Sequence, residues 1–195
     1  MLTLWQRRPS AGITMIEMMV TVSVLAIVLV VITPEAARWV RQSEVRSSAE
    51  NLRSVLQRAR AEAVARNARI RISLGNDQGF AQWSFGCVRV SASCPAVLQS
   101  HAAQIDSAVR WAGALLDGAA TATVALTAGA ALPGKVDFFP LGDAPHIAMG
   151  TDIARIDVLH SRDTLVRRLV VRIDGAGNVR ICDPALPAAD PGGCH

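Results

Sequence analysis

Glu17 is the one formally charged residue in an apolar run covering 13–32, and its carboxylate is the first piece of chemistry the sequence offers. A run of that length matches the roughly 20 residues needed to cross a bilayer core. An acid inside a spanning helix costs roughly 2.5–3.5 kcal/mol on the gentler insertion scale, so it calls for a cationic partner. The other reactive side chains are Cys87, Cys94, Cys182 and Cys194, the histidines His101, His146, His160 and His195, and scattered serines, aspartates and arginines. They form no Gly-x-Ser-x-Gly, no His-Glu-x-x-His and no phosphate-binding glycine loop. No catalytic residue, enzymatic activity or cofactor is expected. A metal site is not expected either, because neither Cys-x-x-Cys nor a paired-histidine spacing occurs.

The elements that hold these residues begin with the apolar run. Half the 195 residues are apolar and Tyr is absent, a globular composition for one domain plus a membrane segment. The residues after the run, Thr33, Pro34, Glu35, Ala36 and Ala37, lack the A-x-A pattern of a signal-peptide cleavage site. Arg7 and Arg8 precede the run and put the N-terminus on the cytoplasmic side. All four cysteines then lie in an oxidising compartment, where disulfides are expected. Three connectivities are open. The economical one closes the Pro/Gly-rich tail 183–193 with Cys182 and Cys194 and leaves Cys87 for Cys94.

The segment Ala11-Gly12-Ile13-Thr14-Met15-Ile16-Glu17 resembles the signature of type IV prepilins, with Ile13 where the family usually has Phe and Met15 where it often has Leu. The resemblance implies a leader over 1–12, cleavage between Gly12 and Ile13 by prepilin peptidase, and N-methylation of Ile13. It also implies a membrane and assembly helix over 13–33, with Pro34 as a helix-kinking proline. Cleavage creates a cation at Ile13 that can pair with Glu17 of a neighbouring subunit. At about 4 Å and an effective dielectric near 20 that attraction is about 4 kcal/mol, comparable to the burial cost. Loss of Arg7 and Arg8 with the leader lowers the net charge from +4 to +2, too little to point to a nucleic-acid partner.

Beyond the run, Val40, Val45, Ala49, Leu52, Leu56, Ala59 and Ala63 recur at helical spacing and predict an amphipathic continuation over 34–67. Arg46, Arg53 and Arg60 lie along it among glutamates and read as a solvated face. Alternation then predicts strands at 70–74, 82–90, 136–139, 155–159, 165–173 and 179–182, and 112–134 is not legible as either. A long helix followed by strands predicts an α+β fold, the helix packed on an antiparallel sheet, with a β-rich periplasmic domain over 68–195.

Ser73-Leu74-Gly75, Trp83-Ser84-Phe85-Gly86-Cys87-Val88, Phe139-Pro140-Leu141-Gly142 and Gly177-Asn178-Val179-Arg180-Ile181-Cys182 resemble the GspH/FimT family of H-type pseudopilins and minor pilins. That resemblance implies a type IV pilin-like fold. It also implies a minor subunit of a type II secretion pseudopilus or type IV pilus, held in the bacterial inner membrane until assembly. Its partners would be other pseudopilins or pilins, prepilin peptidase and the membrane. An alternative is DNA binding during uptake, which the FimT branch implies for some members. Strand alternation puts Arg168 and Arg172 on one face, with Arg180 outward on the next strand, as a candidate phosphate-binding set. DNA-binding relatives tend to carry Gly-Arg-x-Arg before the last cysteine, and Asn178 stands where the first of those arginines would be.

Overall fold

The protein is described by a computed structural model over residues 12–115, 124–187 and 189–194, with the helical backbone alone at 31–34. The expectations for Arg7, Arg8, the leader up to residue 11, the Pro34 side chain, residues 116–123 and His195 lie outside the described residues.

Helix α1 runs Met15–Ala65. Its start is written as Thr14-x-x-Glu17, a capping-box spacing, and the Glu17 amide donates to Thr14 Oγ1 at 3.3 Å. Its end is a Schellman turn: Asn67 takes φ 47°, the Asn67 amide donates to the Val64 carbonyl at 3.2 Å and the Ala68 amide to Ala63 at 3.1 Å. By its contacts the chain forms two compact units, one through Trp39 and one from Val40. In the first, the described apolar side chains are exposed all round, from Met15 to Val30, the surface of a helix meant for lipid or for other helices. No single helical segment among the described residues is long and apolar enough to cross a membrane by itself. Met15–Val30 and Glu35–Ala65 taken together are, by length and composition.

The second unit holds two antiparallel four-stranded sheets. The first has order β3-β2-β1-β5, from β1 Ile70–Leu74, β2 Trp83–Cys87, β3 Gln99–His101 and β5 Gly134–Phe138. The second has order β4-β6-β7-β8, from β4 Val109–Ala114, β6 Arg155–His160, β7 Leu169–Ile173 and β8 Val179–Cys182. A short helix α2, Pro145–Ala148, precedes β6. Val45, Ala49, Leu52, Leu56, Ala59 and Ala63 of α1 share one core with Ile70, Ile72, Phe85, Val136, Phe138, Ile156, Val158 and Val171. Val40 is instead 49% exposed.

Other departures from the sequence expectation have local causes. β2 ends at Cys87 because the chain turns there into the Cys87–Cys94 loop. β7 starts only at Leu169 because Gln42 binds the Arg167 amide and carbonyl, at 2.9 and 3.1 Å, and takes that stretch out of the ladder. Arg60 is not a solvated-face residue. Its guanidinium donates to the carbonyls of Gly142 (2.7 Å) and Ala176 (3.1 Å), tying α1 to two turns. Gly177, at φ 75°, is the point of contact between those turns, since a Cβ there would meet the Gly142 carbonyl.

Candidate functional site

At the N-terminus, Gly12 precedes α1 and Ile13 is 70% exposed. Among the described residues, and leaving out its chain neighbours, no atom lies within 4 Å of where a Gly12 Cβ would be. Glu17 sits in the first turn, its side chain exposed, where a carboxylate also meets the positive end of the helix dipole. The Thr14–Glu17 cap is a feature that the sequence reading passed over, although its Thr-x-x-Glu spacing was visible.

The three arginines of the nucleic-acid alternative share a sheet face but not a common role. Register puts Arg155, Arg172 and Arg180 in one cross-strand row, beside a second row of Asp157, Val170 and Cys182. Arg168 is spent on Asp157 at 2.8 Å, with its side chain 15% exposed. Burial lowers the pKa of its guanidinium below the ordinary value although Asp157 opposes the shift. Arg172 is half-buried, and Arg180 is exposed next to Asp174. Val170, expected on an open face, is fully buried. The same ionic cluster pins the stretch after residue 123: Arg155 donates to the Val124 carbonyl at 2.6 Å and Asp157 accepts the Leu126 amide at 3.2 Å.

A second cluster lies on the outer face of the β3-β2-β1-β5 sheet. Fully buried Asp137 accepts four guanidinium bonds, from Arg69 at 3.1 and 2.6 Å and from Arg71 at 2.7 and 2.9 Å. Burial works to raise the Asp137 pKa, but the bonds from Arg71 and Arg69 prevail and hold it below the ordinary carboxylate value. Neighbouring Asp152 is raised, chiefly by burial. His146 Nδ1 lies 3.4 Å from Asp137 Oδ2 and 3.7 Å from Asp152 Oδ2. The three side chains are close enough to share a cation, yet the two guanidinium groups already supply the positive charge and fill the Asp137 oxygens. The group therefore does not fit a metal.

His101 and His160 line a groove of about 640 Å³ that also exposes Glu44, Asn51 and Asp106. Among the described residues, no hydrogen bond joins one of its serines to His101 or His160.

The disulfides are Cys87–Cys94 and Cys182–Cys194, with Cα separations of 5.7 and 5.0 Å. Gly86 permits the first loop to fold back, because a Cβ there would strike the Ala96 carbonyl. The second holds the tail along β8, where the Asp183 amide donates to Gly192 at 2.7 Å. Replacing Cys182 and Cys194 by serine is expected to cost about 2–4 kcal/mol and to release amide protection across 183–193 first, since that stretch has few apolar side chains. Hydrogen exchange showing equal protection there in the variant would count against this role.

Comparison with known proteins fits this geometry. The profile described as type II transport protein GspH matches residues 48–177, and that of the prokaryotic N-terminal methylation motif matches residues 7–33. The chain belongs to the GspH family of type II transport proteins, a structural family of pseudopilins and not of enzymes. Among solved structures it is similar to the minor pseudopilin EpsH of the Vibrio cholerae type II secretion system. That match has 11% identity, covers 75% of this chain and 98% of that one, and has a TM-score of 0.50, so it supports the shared pilin-like α+β fold. It is also similar to the Pseudomonas aeruginosa type IV minor pilin FimU, with 22% identity, coverage of 80% and 99%, and a TM-score of 0.49. No curated protein sequence matches significantly.

Proposed function

We propose that the chain is a minor subunit of a type II secretion pseudopilus. Prepilin peptidase would process it between Gly12 and Ile13, the Ile13 amine would be methylated, and α1 would anchor it in the inner membrane before assembly. The supporting observation is the join of two features in one GspH-family chain: an apolar surface exposed round the whole of Met15–Val30, and one carboxylate, Glu17, in its first turn. An isolated span has no use for that acid. An assembly gives it a neighbour's Ile13 amine, while Pro34 would set the bend of the helix, and the other pseudopilins are the partners of that packing.

DNA uptake receives no support from the arginine geometry, since Arg168 is held by Asp157. Glu17→Ala tests the proposal. Leader removal, membrane insertion and melting of the soluble unit should stay as in wild type. Recovery of the variant in crosslinked pseudopilus complexes should fall at least about tenfold, the effect of losing a little over 1.4 kcal/mol of pairing. Secretion of the system's enzymes should fall with it. Recovery and secretion equal to wild type would remove the pairing from the mechanism.

A further inference from the structure

The Asp137 cluster has an outward side. Arg69 and Arg71 are two residues apart and so project from the same face, and each gives Nε and one amino group to Asp137. The remaining amino group of each, Nη1, donates to nothing among the described residues. The two side chains are 32% and 37% exposed over a carboxylate that is 0% exposed. Lys135, 42% exposed, stands on the same face, 3.9 Å from buried Asp152. Three cations thus sit above two buried acids, and burial drives one of those acids, Asp152, towards its neutral form. Normally two adjacent guanidinium groups repel each other and a free arginine is costly to order. Here Asp137 holds both guanidinium groups side by side in advance by their Nε edges, leaving one Nη1 of each as a pair of ordered charged donors for an oxyanion.

We propose that Arg69, Arg71 and Lys135 form an oxyanion receptor on the outer face of the β3-β2-β1-β5 sheet, and that its ligand is a carboxylate on an apolar-flanked acidic segment of another assembly subunit. The site is two strands wide, the size for one carboxylate and not for a row of phosphates. Arg66, the next arginine before it, is committed to Glu62 at 2.6 Å and to the Ser93 carbonyl at 2.6 Å. Beside the receptor the Arg69 guanidinium lies over the Phe139 ring at 5.1 Å, and the same turn carries Leu141, 89% exposed. Apolar side chains next to the ligand's acid would meet these. The inference rests on the assembly-subunit reading for its partner, but the receptor is testable without any assembly.

The test uses the full chain in nonionic detergent with a fluorescent alternating Leu/Glu peptide, its Leu/Gln counterpart and a short DNA duplex. The Glu peptide should bind and be weakened about tenfold by Arg71→Lys, which keeps a charge beside Asp137 but loses the outward Nη1 donor that the guanidinium holds in place. Lys135→Gln should weaken it several-fold with an unchanged melting curve, so a folding defect cannot account for the loss. The Gln peptide and the duplex should bind far more weakly. Equal binding of the two peptides, no binding of the Glu peptide at millimolar concentration, or affinity unaffected by both substitutions overturns the receptor. Tighter binding of the duplex, lost with the same substitutions, makes the ligand a phosphate polymer instead. Failure of the assembly reading would show separately, as wild-type protein missing from pseudopilus complexes.

Discussion

Replacing Gly12 by leucine is expected to leave residues 1–12 attached to a chain that is otherwise normal. Nothing among the described residues within 4 Å of a Gly12 Cβ would resist the larger side chain, and the Thr14–Glu17 cap that starts α1 lies beyond it. The described residues therefore make no demand for glycine here, and under the proposed processing the demand would come from a peptidase seating this residue beside the scissile bond. A branched side chain at that position displaces the peptide by an ångström or more. Such a misplacement costs about 10²-fold in rate, enough to leave the leader on nearly every molecule. Intact-mass measurement of the membrane fraction reads the outcome directly. Normal loss of residues 1–12 in the variant would move the cleavage site elsewhere.

The parts of this molecule that were legible in the sequence are those whose signal is local. The apolar run, the acid inside it and the heptad-like spacing of Val45, Leu52, Leu56 and Ala59 each depend on neighbours a few residues away. The strands with hydrophobic alternation, β1, β6 and β8, were legible for the same reason. β3 is three residues, Gln99–His101, with no buried side chain and hence no alternation to read. β4 begins three residues before the Ala/Gly/Thr-rich stretch 112–134 and continues into it, and Gly113 is small because the Ile153 side chain would meet a Cβ there. The Gly113 amide donates to Ala130, and the Trp111 carbonyl accepts from Gly129.

The outer faces of the sheets were the least legible. Alternation marks Arg71, Asp137, Arg155, Asp157 and Arg168 as the polar side of each strand, and polar ordinarily means solvent. What alternation cannot report is that opposite charges from different strands meet there and are covered. Pairing Arg71 with Asp137 needs the β1–β5 register, and pairing Arg168 with Asp157 needs the β6–β7 register. Those registers join residues 66 and 11 positions apart. Of the arginine set that looks like a phosphate track in one dimension, Arg168 becomes, in the sheet, the partner of a buried acid.

Asp157→Ala is accordingly expected to be among the most damaging single changes in the unit from Val40 onward. Asp157 is fully buried and accepts Arg155 at 2.6 and 2.7 Å, Arg168 at 2.8 Å and the Leu126 amide at 3.2 Å. Its loss strips these bonds from Arg155, which is 1% exposed. Breaking such a pair from one side typically costs about 3–5 kcal/mol, a large part of a domain's total stability of roughly 5–15 kcal/mol. For a unit of this size that corresponds to a melting point lower by very roughly 6–20 °C. Arg168→Ala should cost much less, because Asp157 keeps Arg155 and the Leu126 amide. Replacing Arg155, Asp157 and Arg168 together by Met, Leu and Met should recover part of the single-variant loss, since apolar side chains of similar volume substitute for buried ions, while the Val124 carbonyl and the Leu126 amide still lose their partners. Calorimetry of the three variants separates the two roles of this face. If Asp157→Ala melts within a degree or two of wild type, the cluster is not a structural lock, and the arginines on this strand pair are released for the phosphate-binding role that their spacing first indicated.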